Sequence, residues 1–288
     1  MTQRESPCWS KHRSGASLIV LVVSALVLVA CSGGNSTPPA TDSSPRPSAT
    51  AALSPTEPLP ADTPAATEPP VVIAPTDVPT SPAQVISRGP SDRNAVVLTF
   101  DAGSDTGYAS QILDTLAANG ITAAFGITGR WVEQNAALLE RIVGDGHELI
   151  NHTYDHGSFT GNSTDAPALA QAQRWDQLER AEAIVQNISG VTTKPYFRPP
   201  YGDYDDSVNN DVGARGYRYN VMWTVDSMGW NGFTEDAIVE RCLSQAVPGA
   251  IYIFHVGSAS QDAAALQSVV DGLRAAGYEF VPLSTFAP

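Results

Sequence analysis

From residue 95 onward, short apolar runs alternate with amphipathic stretches. Residues 95–100 (Ala-Val-Val-Leu-Thr-Phe) are apolar and continuous and end at Asp101, with Gly103 just beyond. Such a run predicts a strand buried on both faces. Helical spacing follows over 109–117, then a strand at 122–127, a helix at 136–143, a strand at 147–150, a long helix at 168–188 and a short strand at 196–197. The remainder predicts a helix at 206–214, a strand at 219–223, a helix at 234–245, a strand at 250–254, a helix at 262–275 and a strand at 278–281. Strands alternating with helices imply an α/β domain whose parallel sheet is covered by helices. A closed or nearly closed barrel fits best, although residues 85–288 fall short of the roughly 250 typical of a full eightfold barrel.

The first third of the chain has none of this pattern. Basic residues (Arg4, Lys11, Arg13) precede an uncharged apolar run over 16–30, the length of a signal-peptide core and short of the roughly 20 residues a membrane span needs. Leu28-Val29-Ala30-Cys31 resembles the lipobox of bacterial lipoproteins, in which the Cys becomes the lipidated first residue of the mature chain. Residues 1–30 are therefore expected to be a lipoprotein signal peptide, with Cys31 as the lipid anchor. An uncleaved N-terminal anchor is the plainer reading, and both place the rest of the chain outside the cytoplasmic membrane. From 32 to 84, 37 of 53 residues are Pro, Ser, Thr or Ala, 13 of them Pro. Such a segment buries too little to offset its conformational entropy, so 31–84 is expected to be a disordered linker, a tether or a passive stalk, and 85–288 a globular domain.

Composition narrows the partners. The chain carries 30 acidic against 16 basic side chains, a formal charge of −14. That argues against nucleic acid, which needs a clustered positive surface. Three cysteines cannot build a disulfide framework, and Cys242 reads as a buried apolar residue. The sequons at Asn151, Asn162 and Asn187 carry little meaning in an exported bacterial chain.

Parallel α/β domains place their chemistry where strands end. Polar residues stand at those ends: Asp101, His152 and His156, Arg198, Asp226 and His255. Singly, each has an ordinary explanation, an Asp as helix cap or turn residue and a His as a packing residue. Coincidence across five strands points to one face. His152 and His156 stand at i and i+4, and paired neutral imidazoles suit zinc and similar divalent metals. His147 reads as structural.

Thr99-Phe100-Asp101, His152-Thr-Tyr-Asp-His156, Arg198-Pro199-Pro200-Tyr201-Gly202, Asp226-Ser-Met-Gly-Trp230 and Ile253-Phe254-His255 occur in that order. Together they resemble the five motifs of the polysaccharide deacetylases (carbohydrate esterase family 4, the NodB homology domain), over roughly 95–283. The resemblance implies a distorted barrel of about seven parallel strands, a divalent metal, usually zinc, and hydrolysis of acetyl groups from cell-wall or related polysaccharide. It makes His152 and His156 metal ligands and Asp101 the base that deprotonates the attacking water. It makes His255 the acid that protonates the leaving group, with Asp226 raising its pKa. Arg198 would orient Asp101, the backbone N–H of Tyr201 would hold the oxyanion, and Trp230 would wall the acetyl pocket.

One position departs from the pattern. Where the family has Thr-Phe-Asp-Asp, with the second Asp as third metal ligand, this chain has Ala102. Three readings follow: Asp105 supplies the carboxylate, Asp101 both ligates and acts, or the metal site is weakened and the domain is a noncatalytic glycan-binding relative. Asp105 is carried as the candidate third ligand, with a turn or helix-cap role as its plainer reading. An amidohydrolase acting on a noncarbohydrate substrate is a further alternative. The sequence implies no protein partner beyond the acetylated polymer and, through Cys31, the membrane.

Overall fold

The computed structural model describes residues 81–288 apart from Ser104; the expected signal peptide, Cys31 and all but the last four residues of the expected linker lie outside the described residues. Those last four belong to the fold, with Ala83 buried and Gln84 opening the first strand. In chain order the elements are β1 Gln84–Ile86, β2 Ala95–Ala102, α1 Ala109–Asn119, β3 Ala124–Ile127, α2 Gly129–Gln134, α3 Ala136–Gly144, β4 Glu148–Asn151 and α4 Gln171–Ser189. Then come β5 Tyr196–Phe197, α5 Asp206–Gly213, β6 Tyr219–Val221, β7 Val225–Asp226, α6 Glu235–Ser244, β8 Ile251–His255, α7 Asp262–Ala275 and β9 Glu279–Phe280. One sheet runs in the order β1-β6-β5-β4-β3-β2-β8-β7, with β9 also on β2, and its strand pairs are parallel. Just past β1, Arg88 makes an antiparallel bridge to Ala250 at the foot of β8. The sheet therefore curls into an open, distorted barrel.

The alternation along β2 shows how the sequence builds two layers. Val96, Leu98, Phe100 and Ala102 belong to the apolar cluster between sheet and helices, with Ile112, Leu116, Leu266 and Val269. Ala95 and Val97 face the other way, into a smaller cluster with Ala124, Ile150, Val221 and Ile251 that fills the barrel interior. Thr99 and Asp101 continue this interior row, as a side-chain period of two requires. Ala102 continues the helix-facing row and is fully buried. The C-terminal segment closes the foot of the barrel, with Leu283 and Ala287 in the interior cluster.

Three elements differ from the expectation. The apolar run expected as one strand over 219–223 breaks after Val221; Thr224 bonds to Ile251, and a separate β7 begins at Val225. β1 opens on Gln84, the last residue of the segment expected to be linker, and α2 was not expected; it is held by its cap, the Thr128 hydroxyl accepting from Trp131 N. Besides the seven strands expected, the sheet has two more, β1 and β7, of three and two residues.

Candidate active site

Parallel pairing brings the strand ends to one rim. Asp101 lies in register with Gly126 on β3 and with His255 on β8, and the residues after β4 and β5 are His152 and Arg198. The centre is built around Arg198, whose side chain is fully buried and makes three hydrogen bonds. Nη1 donates to Asp101 Oδ1 (2.6 Å), Nη2 to Thr99 Oγ1 (2.9 Å) and Nε to the Val221 carbonyl (2.8 Å). Burial alone raises the Asp101 carboxyl, but Arg198 above all, followed by His152 and His255, brings it below the ordinary carboxylate value. Gly126 makes room: a Cβ there would stand 2.3 Å from Asp101 Oδ1.

His152 Nδ1 lies 2.9 Å from the Arg198 carbonyl, which only accepts, so in the neutral ring the proton is on Nδ1. Nε2 then faces Asp101 Oδ2 at 3.5 Å. Burial holds the His152 imidazole below its usual pKa, and burial followed by the neighbouring His152 lowers His156 to about 3. Both rings are therefore neutral near pH 7. The His156 ring meets His152 edge-on at 4.8 Å between centroids and meets Tyr201 at 4.7 Å. Among the described residues, four that are not glycine adopt positive φ, and all lie in this rim: Thr153, His156, Tyr201 and Met228. Left-handed backbone of this kind costs on the order of 1–3 kcal/mol per residue and clusters at functional sites.

An implied divalent cation can be tested on this donor set. A carboxylate oxygen and an unprotonated ring nitrogen face each other 3.5 Å apart, two acceptors with no hydrogen to share. A cation between them resolves that arrangement, and two imidazoles with one carboxylate are ligands zinc accepts. As the side chains stand, no three His, Cys, Asp or Glu groups among the described residues close around one point. The nearest approach to a centre is Asp101, His152 and His156, so the chemistry of the donors fits while the cage is looser than a closed structural site.

Two of the sequence-derived site residues have other partners in the structure. The Asp105 carboxylate has other partners: Oδ1 accepts from Ser258 N at 2.9 Å, and Oδ2 from the Ser258 hydroxyl. It ties the loop after β2 to the loop after β8, and the Trp131 indole, donating to the Asp105 carbonyl, holds it there. Asp226 does not reach His255. Its carboxylate accepts from the Trp230 indole (3.2 and 3.3 Å) and from Met228 N, because the turn after β7 folds back on itself. The carboxylate beside His255 Nδ1 is Asp262, at 3.9 Å. Trp230 and Tyr201 are exposed aromatics on the rim, with Trp230 6.3 Å from the His255 ring. Sequence reasoning missed Gly126, visible only as a glycine interrupting an apolar strand, and Asp262, which reads as an ordinary first-turn acid of α7.

A curled parallel sheet carrying a buried Arg–Asp pair, two adjoining imidazoles and an opposing histidine at its rim is the architecture of a carbohydrate-esterase barrel. The chain belongs to the polysaccharide deacetylase family: residues 88–220 match the family model described as polysaccharide deacetylase. It is 31% identical over 195 residues to the peptidoglycan-N-acetylmuramic acid deacetylase PdaA of Bacillus subtilis, covering 67% of this chain and 71% of that one. The solved structure of PdaA superposes with a TM-score of 0.64 at 28% identity, covering 70% of this chain and 84% of that one. The peptidoglycan-N-acetylglucosamine deacetylase of Bacillus cereus is 29% identical over 198 residues, 68% of this chain and 69% of its own. A pseudoenzyme of the same CE4 family from Bacillus anthracis has a TM-score of 0.64 at 27% identity, covering 72% of this chain and 70% of its own.

Proposed function

We propose that this chain removes acetyl groups, N-acetyl in the first place, from cell-wall polysaccharide outside the cytoplasmic membrane, held there by a lipid on Cys31. The relatives named as peptidoglycan deacetylases support the substrate class. No helix among the described residues is long and apolar enough to cross a membrane.

The observation that carries the reading is the chain Arg198–Asp101–His152, at 2.6 and 3.5 Å, with His156 beside it. Asp101, His152 and His156 would hold a divalent cation, zinc by donor chemistry. When bound, the cation supplies Lewis acidity toward water and the acetyl carbonyl. Asp101, kept ionised by Arg198, takes the proton of the attacking water. With Ala102 lacking a donor atom and Asp105 engaged by Ser258, Asp101 also serves as the third ligand. Tyr201, in its left-handed conformation, stands over His156, and its main-chain N–H is the donor for the developing oxyanion. Trp230, braced by Asp226, flanks the acetyl group, and His255 delivers a proton to the departing amine.

The test is acetate release by the full chain, loaded with zinc, from peptidoglycan, N-acetylglucosamine oligomers and acetylated xylan, with bound metal counted in parallel. Acetate from an amino-sugar polymer, abolished in Asp101→Asn, is expected. Loaded protein that frees no acetate from any of them rejects the enzyme. A second reading, glycan affinity without turnover, is consistent with Ala102 and with the likeness to the pseudoenzyme.

A further inference from the structure

We propose that Asp262 is the positioning residue for His255, fixing the imidazole so that Nδ1 faces the buried carboxylate and Nε2 is presented to the cleft. The proposal rests on the reading of His255 as proton donor. Asp262 Oδ2 accepts the main-chain N–H of His255 at 2.7 Å and lies 3.9 Å from Nδ1 of the same residue. One carboxylate oxygen thus addresses both the backbone and the ring of the residue at the end of β8. Nδ1 is buried and has no hydrogen-bond partner among the described residues, while 28% of the His255 side chain is exposed. The exposed part is therefore the Nε2 edge, the edge a leaving group would meet. A carboxylate behind Nδ1 favours the Nδ1–H tautomer, the opposite of the preference of free imidazole.

The site is shaped to hold this carboxylate. Asp262 is fully buried, its own N–H donates to the Ser260 hydroxyl, and the Ser227 hydroxyl is a further neighbour. A Cβ at Gly229 would stand 2.4 Å from Asp262 Oδ1, so the turn that carries Trp230 has a glycine where the carboxylate passes. Burial pushes the Asp262 carboxyl above its ordinary value. A buried acid of this kind is a cost to the fold. The plainer reading is an acidic residue in the first turn of α7, favoured there by the helix dipole. That role requires neither burial nor a ring nitrogen opposite.

The experiment uses the full chain with Asp262→Asn, Asp262→Glu and His255→Ala. An Asn side-chain oxygen in the place of Oδ2 still accepts the His255 N–H, but the negative charge behind Nδ1 is gone. On N-acetylglucosamine oligomers, whose amine must be protonated to leave, D262N is expected to lower kcat by at least about tenfold with KM within about twofold. On 4-nitrophenyl acetate, whose phenolate leaves without a proton, the change is expected to stay within about twofold, and D262E to recover part of the oligomer activity. Equal losses on both substrates, or none on either, overturn the proposal in favour of a structural role. H255A that spares the oligomers overturns the proton-donor reading. Long-range ¹H–¹⁵N spectra of the His255 ring are independent of turnover: Nδ1–H is expected in the wild type and Nε2–H in D262N. An Nε2–H wild-type ring refutes the positioning by itself.

Discussion

At the scale of single residues, the site is held by contacts that leave no spare room. Asp101 Oδ1 is wedged between Arg198 and the Gly126 backbone, where a Cβ would sit 2.3 Å away. Gly126→Ala therefore forces the carboxylate off the guanidinium or shifts β3 against β2, and overpacking of this kind costs about 1–3 kcal/mol. The expected outcome is a lower unfolding midpoint and at least a tenfold loss of acetate release, since misplacing a reacting group by an ångström costs on the order of a hundredfold. Unchanged turnover in G126A would show that Asp101 does not need this seat. Asp105 is a contrasting case. Its carboxylate fastens two loops through Ser258 and lies at the surface, so Asp105→Ala is expected to cost about 1 kcal/mol while zinc stoichiometry, counted after dialysis, stays as in the wild type. A fall in bound zinc would restore Asp105 as a ligand.

Elements differ in how plainly the sequence announces them, and the reason is length. Helix α7 spans 262–275 as its spacing predicts, and β2, β3 and β8 show as apolar runs because both faces of a central parallel strand are covered. β1 and β7 hold three and two residues, too few to display any period, although β9, just as short, falls inside the strand predicted at 278–281. The site follows the same logic. Asp101, His152, Arg198 and His255 are legible because each ends a recognisable strand, whereas the partner of His255 depends on the path of the loop from β8 to α7, which no periodicity encodes. Helix α5 shows a cap doing visible work: Asp205 Oδ1 accepts from Val208 N at 2.8 Å. That bond, before the others, lowers the Asp205 carboxyl below its ordinary 3.8. A carboxyl with a depressed folded-state pKa adds stability above the unfolded value and loses it as pH falls through the folded value. Asp205→Ala is expected to lower stability at pH 7 by about 1 kcal/mol, and the gap to the wild type to narrow below pH 3.8. A gap independent of pH would mean that the carboxylate charge contributes nothing to the cap. Val208 and Val212 on this helix pack with Phe197, the residue before Arg198, so the cap supports the site through β5.

For the molecule as a whole, the two ends of the barrel have opposite characters. The rim where strands end is polar and open, while the foot is plugged by the C-terminal segment. The 24 acidic and 12 basic side chains of residues 85–288 give that domain a charge of −12, so attraction to anionic wall polymer or lipid has to come from elsewhere than surface charge. The plug is where site and stability meet. Tyr196 donates to the Ala287 carbonyl at 2.8 Å and Tyr219 to the Pro288 carbonyl at 2.6 Å, so β5 and β6 are each fastened to the plug. These strands lead directly to Arg198 and to the Val221 carbonyl that Arg198 bonds. Leu283→Ala removes a fully buried side chain from the interior cluster and is expected to cost about 2–5 kcal/mol. Deleting residues 283–288 also strips both tyrosines of their acceptors, so its unfolding midpoint should fall below that of L283A, with acetate release falling alongside. Should the truncated chain melt with the wild type, the interior cluster would have to be sustained by the strands alone, and the foot of the barrel would have no part in holding Arg198 against Asp101.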